Sequence, residues 1–191
     1  MKKISLVVPC YNEEKCVPVF YKRAVEFFKK IENYEYEILF INDGSADKTK
    51  EIINYIAEKD KRVKAISLSR NFGQQSAMLC GFEYATGDCV VELDCDLQDP
   101  IEAVSLMIEK WEEGYKLIHG RRRSREGDSF FKKVCAVVYN KLLMKLSGIN
   151  VETRSGDFKL YDRQVVDAIV SLPENNKYMR GVSSWVGIKQ C

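Results

Sequence analysis

Apolar runs of strand length alternate with segments of helical period through the first two-thirds of the sequence, and that alternation restricts the fold more than any other feature. Ile4 to Pro9 is a β-rich run, followed by a helical spacing over Glu13 to Ile31 with Val17, Phe20, Tyr21, Ala24, Phe27 and Phe28 on one side. Further strands are predicted at Tyr36 to Ile41, Val63 to Leu68 and Asp88 to Leu93. Between and after them lie helices at Asp47 to Lys59, Gln74 to Ala85 (ended by Gly87) and Ile101 to Glu113 (Pro100 at its start, Gly114 at its end). Strands separated by helices of this length imply parallel βαβ units, hence an α/β fold with a mostly parallel central sheet flanked by helices. The last third is less regular. A strand is expected before Arg121, an amphipathic basic helix over Phe130 to Leu146, a polar loop over Gly148 to Gly156, a short strand at Phe158 to Tyr161 and a helix at Val165 to Leu172.

With 191 residues the chain suits a single domain over its whole length, 1–191. A formal net charge of +2 gives no bulk reason to expect nucleic acid as a partner. The apolar start, Ile4 to Val8, breaks at Pro9 and is too short for a secretion signal, and no stretch reaches the length of a membrane span. The seven cysteines form no C-x-x-C pair and the single histidine is His119, so a structural zinc is not expected. The odd count and apolar neighbours suit reduced, mostly buried thiols in a cytoplasmic protein.

Open α/β sheets bind ligands beyond the carboxyl ends of their strands. Four successive strand ends here carry polar or acidic residues: Pro9 to Glu14, Asn42 to Asp47, Ser69 to Gln74 and Asp94 to Asp99. The first of these lacks the glycine-rich turn of a dinucleotide fold, and there is no Walker loop. Tyr11, Asn12, Glu13 and Glu14 would repel a bare phosphate. Asp94 and Asp96, two apart on an extended segment, point the same way and would repel each other unless a cation joined them. Oxygen ligands beside a diphosphate favour Mg²⁺ or Mn²⁺. Each motif also has a plainer reading. D-x-D can be a polar strand end before a helix. Asn12-Glu13-Glu14 can be a helix cap with acids in the first turn. Asp43-Gly44-Ser45 can be a turn ahead of Asp47 at a helix start. Gly73 can be a helix-entry glycine.

Taken in order, Val7-Val8-Pro9-x-Tyr11-Asn12-Glu13, Asn42-Asp43-Gly44-Ser45-x-Asp47, Arg70-Asn71-Phe72-Gly73 and Glu92-Leu93-Asp94-Cys95-Asp96-Leu97-Gln98-Asp99-Pro100 resemble family 2 glycosyltransferases of the GT-A fold. The resemblance continues through Gly120-Arg121 and Ser155-Gly156-Asp157-Phe158-Lys159-Leu160-Tyr161 and covers nearly the whole chain. It is similar to the branch that loads sugars onto polyprenyl phosphates, which includes dolichyl-phosphate mannose synthases and bactoprenol glucosyltransferases. That resemblance implies that Pro9, Tyr11 and Glu13 line a nucleotide-sugar pocket, that Asp43 contacts the base, and that Gly73 lets the chain pass close to the nucleotide. It implies that Asp94 and Asp96 hold the metal and ribose, with Gln98 beside the donor. Asp157 is then a candidate base or acceptor-orienting group. Relatives of this branch continue into membrane helices, so the same is expected beyond residue 191.

Residues 121 to 145 carry eight basic side chains (Arg121, Arg122, Arg123, Arg125, Lys132, Lys133, Lys141, Lys145) against Glu126 and Asp128, a surplus of +6 that leaves −4 on the rest of the chain. Guanidinium groups bind phosphate bidentately, so Arg121 suits an acceptor phosphate. The helix Phe130 to Leu146 suits either an anionic membrane surface or an ordinary core-facing position. With these features, the resemblance implies an inverting hexosyl transfer at the cytoplasmic face of a membrane, from UDP-glucose first, or UDP-N-acetylglucosamine or GDP-mannose, to a polyprenyl phosphate. A phosphate acceptor has a second pKa of about 6 and needs little help from a base. Transfer to a sugar hydroxyl in glycan synthesis would make Asp157 indispensable. A catalytically idle nucleotide-binding scaffold at a membrane surface is the remaining alternative.

Overall fold

The computed structural model describes residues 1–121, 155–172 and 190–191. Its elements are β1 (Lys2–Cys10), α1 (Cys16–Phe28), β2 (Tyr34–Asn42), α2 (Thr49–Lys59), β3 (Val63–Ser67), α3 (Gln74–Tyr84), β4 (Cys89–Glu92), a 3₁₀ turn (Ile101–Ala103), α4 (Val104–Glu112), β5 (Leu117–Arg121), β6 (Ser155–Asp162) and α5 (Arg163–Ser171). The expected helix Phe130 to Leu146 and the basic residues from Arg122 to Lys145 lie outside the described residues.

The six strands run in the order β3-β2-β1-β4-β6-β5. β1 pairs in parallel with β2 and β4, and β2 with β3, as the alternating pattern requires. β6 is the exception: it inserts antiparallel between β4 and β5. It is also longer than the strand expected at Phe158 to Tyr161, because ladder partners on both sides recruit Ser155 and Asp162. Arg121 ends β5 rather than following it.

One apolar layer sits between the sheet and α1, α2 and α4, and includes Leu6, Val8, Phe20, Phe40, Val91, Trp111 and Leu160. The other lies under α3 and α5, and includes Val7, Leu39, Ile41, Phe82, Val90 and Tyr161. The near-continuous burial of Ile38 to Asn42 and of Cys89 to Glu92 reflects helices on both faces of central parallel strands.

Boundaries moved where side chains found better partners than the helix could offer. α1 begins at Cys16, three residues after the expected Glu13, with no side-chain cap and no acid in its first turn. The cap reading of Asn12-Glu13-Glu14 is therefore corrected: Asn12 turns away to bind the neighbouring loop. α2 starts at Thr49 because Asp47 accepts the Thr49 N–H at 3.0 Å and closes the turn ahead of it. The helix expected from Ile101 opens as a 3₁₀ turn before α4. α5 is capped by Asp162, which accepts from the Gln164 N–H.

Among the described residues Cys10, Cys16, Cys80, Cys89, Cys95 and Cys191 are free thiols, and Cys10, Cys89 and Cys95 are buried. At the foot of the sheet Glu37 is buried among Ser5, Lys3, Lys64 and Thr86. Burial alone would raise its pKa, but hydrogen bonds from Ser5, Lys64, the Thr86 amide and Lys3 reverse that and bring it to about 2.

Candidate active site at the carboxyl ends of the parallel strands

The four polar strand ends converge. The Asp43 N–H donates to the Cys10 carbonyl and the Leu68 N–H to the Asn42 carbonyl, so the three loops leave the sheet side by side. Asn12 adopts a left-handed backbone at φ 58, which asparagine tolerates. Its N–H donates to Ser45 Oγ (2.9 Å) and its Oδ1 accepts from the Ala46 N–H (2.9 Å). The Glu14 N–H donates to Asp47, and the Lys48 N–H donates back to Glu14. The first two strand ends are thus zipped together. Gly44, at φ +66, lies so close to the third loop that a Cβ there would sit 2.3 Å from the Arg70 carbonyl carbon.

Asp43 ties the second loop to the third. It is 3% exposed, and its two oxygens accept from the Phe72 N–H (2.7 Å) and the Gly73 N–H (2.9 Å). Gly73 stands at the N-cap of α3 with φ 91, where a Cβ would meet nothing within 4 Å. Its requirement is thus the backbone angle rather than space.

The fourth loop carries the acidic pair. β4 ends at Glu92, and Asp96 lies in a turn rather than on the extended segment expected. The turn forms because Asp96 Oδ1 accepts from the Gln98 N–H at 3.0 Å, with Leu97 at φ 63 between them. Gln74, from the first turn of α3, donates its Nε2 to Asp94 Oδ1 at 2.9 Å.

These loops enclose a cleft of about 300 Å³ that brings together Pro9, Tyr11, Glu13, Asp43, Gly73, Asp94 and Asp96, with Cys10, Asn71, Gln74 and Cys95 beside them. Seven expected site residues therefore share one cleft. Gln98 does not: it lines a neighbouring, mostly apolar cavity of about 670 Å³ with Met107, Ile118 and Phe158, and its amide donates to Asp96 of the first cleft. Gln74 escaped the sequence reading; its signal was a polar side chain in the first turn of the helix leaving a ligand-facing loop. Beneath the cleft the Cys10 thiol is pushed up by its hydrogen bond to Cys95 and by burial, and Cys16 to about 11 by its hydrogen bond to Glu13 and by burial. These thiols are neutral at physiological pH.

The two remaining expected residues lie at the same end of the sheet. β6 runs antiparallel to β4 with Glu92 opposite Lys159 as the last pair, so Asp157, two residues before Lys159, lies at the end of the sheet from which the Asp94 loop departs. Between the pairs His119↔Lys159 and Arg121↔Ser155 the register shifts, so that Gly120 alone on β5 faces Gly156, Asp157 and Phe158 on β6. Asp157 therefore sits at the middle of a bulge, an irregularity over-represented next to active sites. A Cβ on Gly120 would come within 2.5 Å of the Phe158 ring.

Among the described residues no three His, Cys, Asp or Glu side chains form a ready-made metal cage. Two carboxylates at the edge of an open cleft fit a Mg²⁺ or Mn²⁺ ion that takes its other ligands from a diphosphate and water. They do not fit zinc, which prefers closed sulfur and nitrogen sets.

Residues 5–170 match the family described as glycosyl transferase family 2. The chain belongs to that family. A prophage bactoprenol glucosyl transferase homologue of Escherichia coli (strain K12) is 46% identical over 187 residues, 98% of this chain and 61% of the relative. The bactoprenol glucosyl transferase of Shigella phage SfV is 47% identical over 185 residues, 97% of this chain and 60% of its own length. The chain thus spans about 60% of the curated relatives it matches. Among solved structures, glucosyl-3-phosphoglycerate synthase from Mycobacterium tuberculosis, in complex with Mn²⁺, UDP and phosphoglyceric acid, superposes with a TM-score of 0.63 at 22% identity, covering 95% of this chain and 61% of that one. A mannosyltransferase from Pyrobaculum calidifontis, in complex with GDP-Man and Mn²⁺, gives 0.68 at 17% identity, covering 99% and 54%. The family 2 chain has the GT-A fold.

Proposed function

We propose that residues 1–191 form one catalytic domain of an inverting glycosyltransferase. It moves a hexose from a nucleotide-sugar, UDP-glucose first and UDP-N-acetylglucosamine or GDP-mannose after it, to a polyprenyl phosphate. The observation that carries this reading is the identity of 46–47% to bactoprenol glucosyl transferases over nearly the whole chain. The cleft supports it, because an acidic pair without a glycine nest calls for a cation between protein and diphosphate. Asp94 and Asp96 are assigned to Mg²⁺ or Mn²⁺, which when bound would neutralise charge on the departing nucleoside diphosphate.

The chain's own groups do the rest. Gln74 orients Asp94, and the Gln98 amide orients Asp96. Pro9, Tyr11 and Glu13 wall the nucleotide, while Asp43 holds the Phe72–Gly73 backbone against it and offers its remaining lone pairs to the base. Gly73 admits the loop, and Gln98 borders the acceptor side of the donor. Asp157 orients the acceptor, whose phosphate oxygen is already ionised and needs little proton removal. Arg121 pairs with that phosphate. The basic stretch from Arg121 to Lys145 is assigned to an anionic membrane surface, and the domain to the cytoplasmic face; nucleic acid is not assigned as a partner. No helix among the described residues is long and apolar enough to cross a membrane.

The test supplies each of the three labelled donors with Mn²⁺ and either polyprenyl phosphate or a soluble sugar. Label in the organic phase from UDP-glucose, lost in EDTA, is the expected result. Label only in the soluble sugar would transfer the assignment to glycan synthesis, and the absence of both hydrolysis and transfer with all three donors would leave a binding scaffold.

A further inference from the structure

Two charged side chains are buried on the neighbouring strands β4 and β6. Glu92, the last residue of β4, is 3% exposed, and Lys159, in the middle of β6, is 2% exposed. They stand directly opposite each other in the antiparallel β4–β6 ladder. Glu92 also accepts the Tyr161 hydroxyl at 2.8 Å. Tyr161 lies two residues along β6 from Lys159 and so projects from the same face. There it packs against Phe82 with ring centroids 4.9 Å apart.

An apolar pattern of period two punishes a one-residue slip of β6, because every side chain would change face. It does not punish a two-residue slip, which keeps faces but moves the strand by about 7 Å. The buried charges do. A slip of two residues one way would set Lys159 opposite Val90 and Glu92 opposite Asp157, stranding the buried cation and facing two carboxylates; the other way would set Lys159 opposite Asp94 and Glu92 opposite Tyr161, drawing the cation off Glu92 and leaving that carboxylate buried with no charge across the ladder. The same register sets how far Asp157, two residues before Lys159, stands from the loop that begins after Glu92, and the β5–β6 register shifts at Gly120.

We propose that Glu92, Lys159 and Tyr161 are positioning residues, a register lock between β4 and β6 that sets the distance from the Asp94–Asp96 pair to Asp157. This deepens the proposed function and rests on its assignment of Asp157 to the acceptor side. The lock touches neither donor nor acceptor. It acts by holding the acceptor strand against the donor strand, so it bears on turnover and not on nucleotide affinity.

The experiment compares Lys159→Met, Lys159→Arg and the double variant Glu92→Gln/Lys159→Met. Lys159→Met is expected to lower the transfer rate at least about 100-fold, since a misplacement of about 1 Å already has that effect and a slipped register moves the strand further, with UDP affinity within about threefold of the parent. Lys159→Arg keeps the buried cation and is expected to recover most of the rate. The double variant has the shape without the charges, and keeps the proposal open to refutation if Lys159→Met does not fold. Its melting temperature should stay near that of the parent while transfer remains low. A substrate-free readout accompanies both: the cross-strand nuclear Overhauser contact between the backbones of Val91 and Leu160, which are opposite in the native register. That contact should weaken or split in Lys159→Met and in the double variant.

A folded variant lacking the charges that transfers at the parent rate overturns the lock. So does an intact Val91–Leu160 contact in a slow variant, or a parallel loss of UDP affinity. If Asp157→Asn transfers normally, the assignment of Asp157 fails, while the Val91–Leu160 contact still judges the lock on its own.

Discussion

Replacing Asp43 tests how the cleft is built. Its two oxygens accept the Phe72 and Gly73 amides at 2.7 and 2.9 Å in a site where the side chain is almost fully enclosed. A hydrogen bond to a charged group contributes about 1.5–3 kcal/mol, so Asp43→Ala, which removes both, is expected to cost about 3–6 kcal/mol of stability or loop order. Asp43→Asn is the sharper probe. Its amide carries one acceptor and one donor group, so one backbone N–H would face an NH₂, and the expected cost is about half that of alanine. Because the Phe72–Gly73 segment walls the nucleotide cleft, both variants should also weaken UDP and GDP binding, alanine more than asparagine. Thermal unfolding and titration calorimetry on the same preparations decide it. An alanine variant with the parent's melting temperature and nucleotide affinity would refute the role of Asp43 as the tie between the second and third loops.

Asp96→Asn is expected to lower donor turnover at least ~100-fold, about 2.7 kcal/mol of barrier, and excess EDTA to abolish turnover in the parent; full activity in EDTA would remove the metal from the account. Glu37, held at about 2 against an ordinary 4.5, favours the folded state fully above its unfolded pKa and loses that contribution as pH falls from about 4.5 through 2. Glu37→Gln should therefore cost about 3 kcal/mol at neutral pH and flatten the acid side of the stability curve measured by denaturant titration. The domain should bind anionic vesicles at low salt and release at high salt, and changing Lys132, Lys133, Lys141 and Lys145 to Gln should abolish cosedimentation while leaving UDP affinity unchanged.

The parallel half of the fold was legible because its signal is local. Val and Ile runs bounded by polar loops are strands whatever they pair with, and helices between them force the parallel order. The cleft was legible for the same reason, since Pro9, Tyr11, Glu13, Asp43, Gly73, Asp94 and Asp96 all sit at strand ends that the order itself brings together. What escaped depends on distant partners. β6 pairs with strands far back in the chain, and nothing in Ser155 to Asp162 announces that it runs antiparallel between β4 and β5. Asn12 reads as a helix cap until Ser45 and Ala46, 33 and 34 residues on, are seen to hold it. Gln98 is placed beside the donor by resemblance alone, and nothing local in the sequence shows that it lines the adjacent cavity while its amide closes the Asp96 turn. Glu92 and Lys159 carried a signal that was passed over: a charge inside an otherwise apolar strand segment.

The linkage and anomeric configuration of the lipid product test the central claim most directly. Nuclear magnetic resonance of the product made from UDP-glucose and polyprenyl phosphate with Mn²⁺ is expected to show one β-linked glucosyl phosphodiester, inverted relative to the α-linked donor. An α-linked product, or glucose joined to a hydroxyl with the lipid phosphate unmodified, would contradict an inverting transfer to a phosphate acceptor.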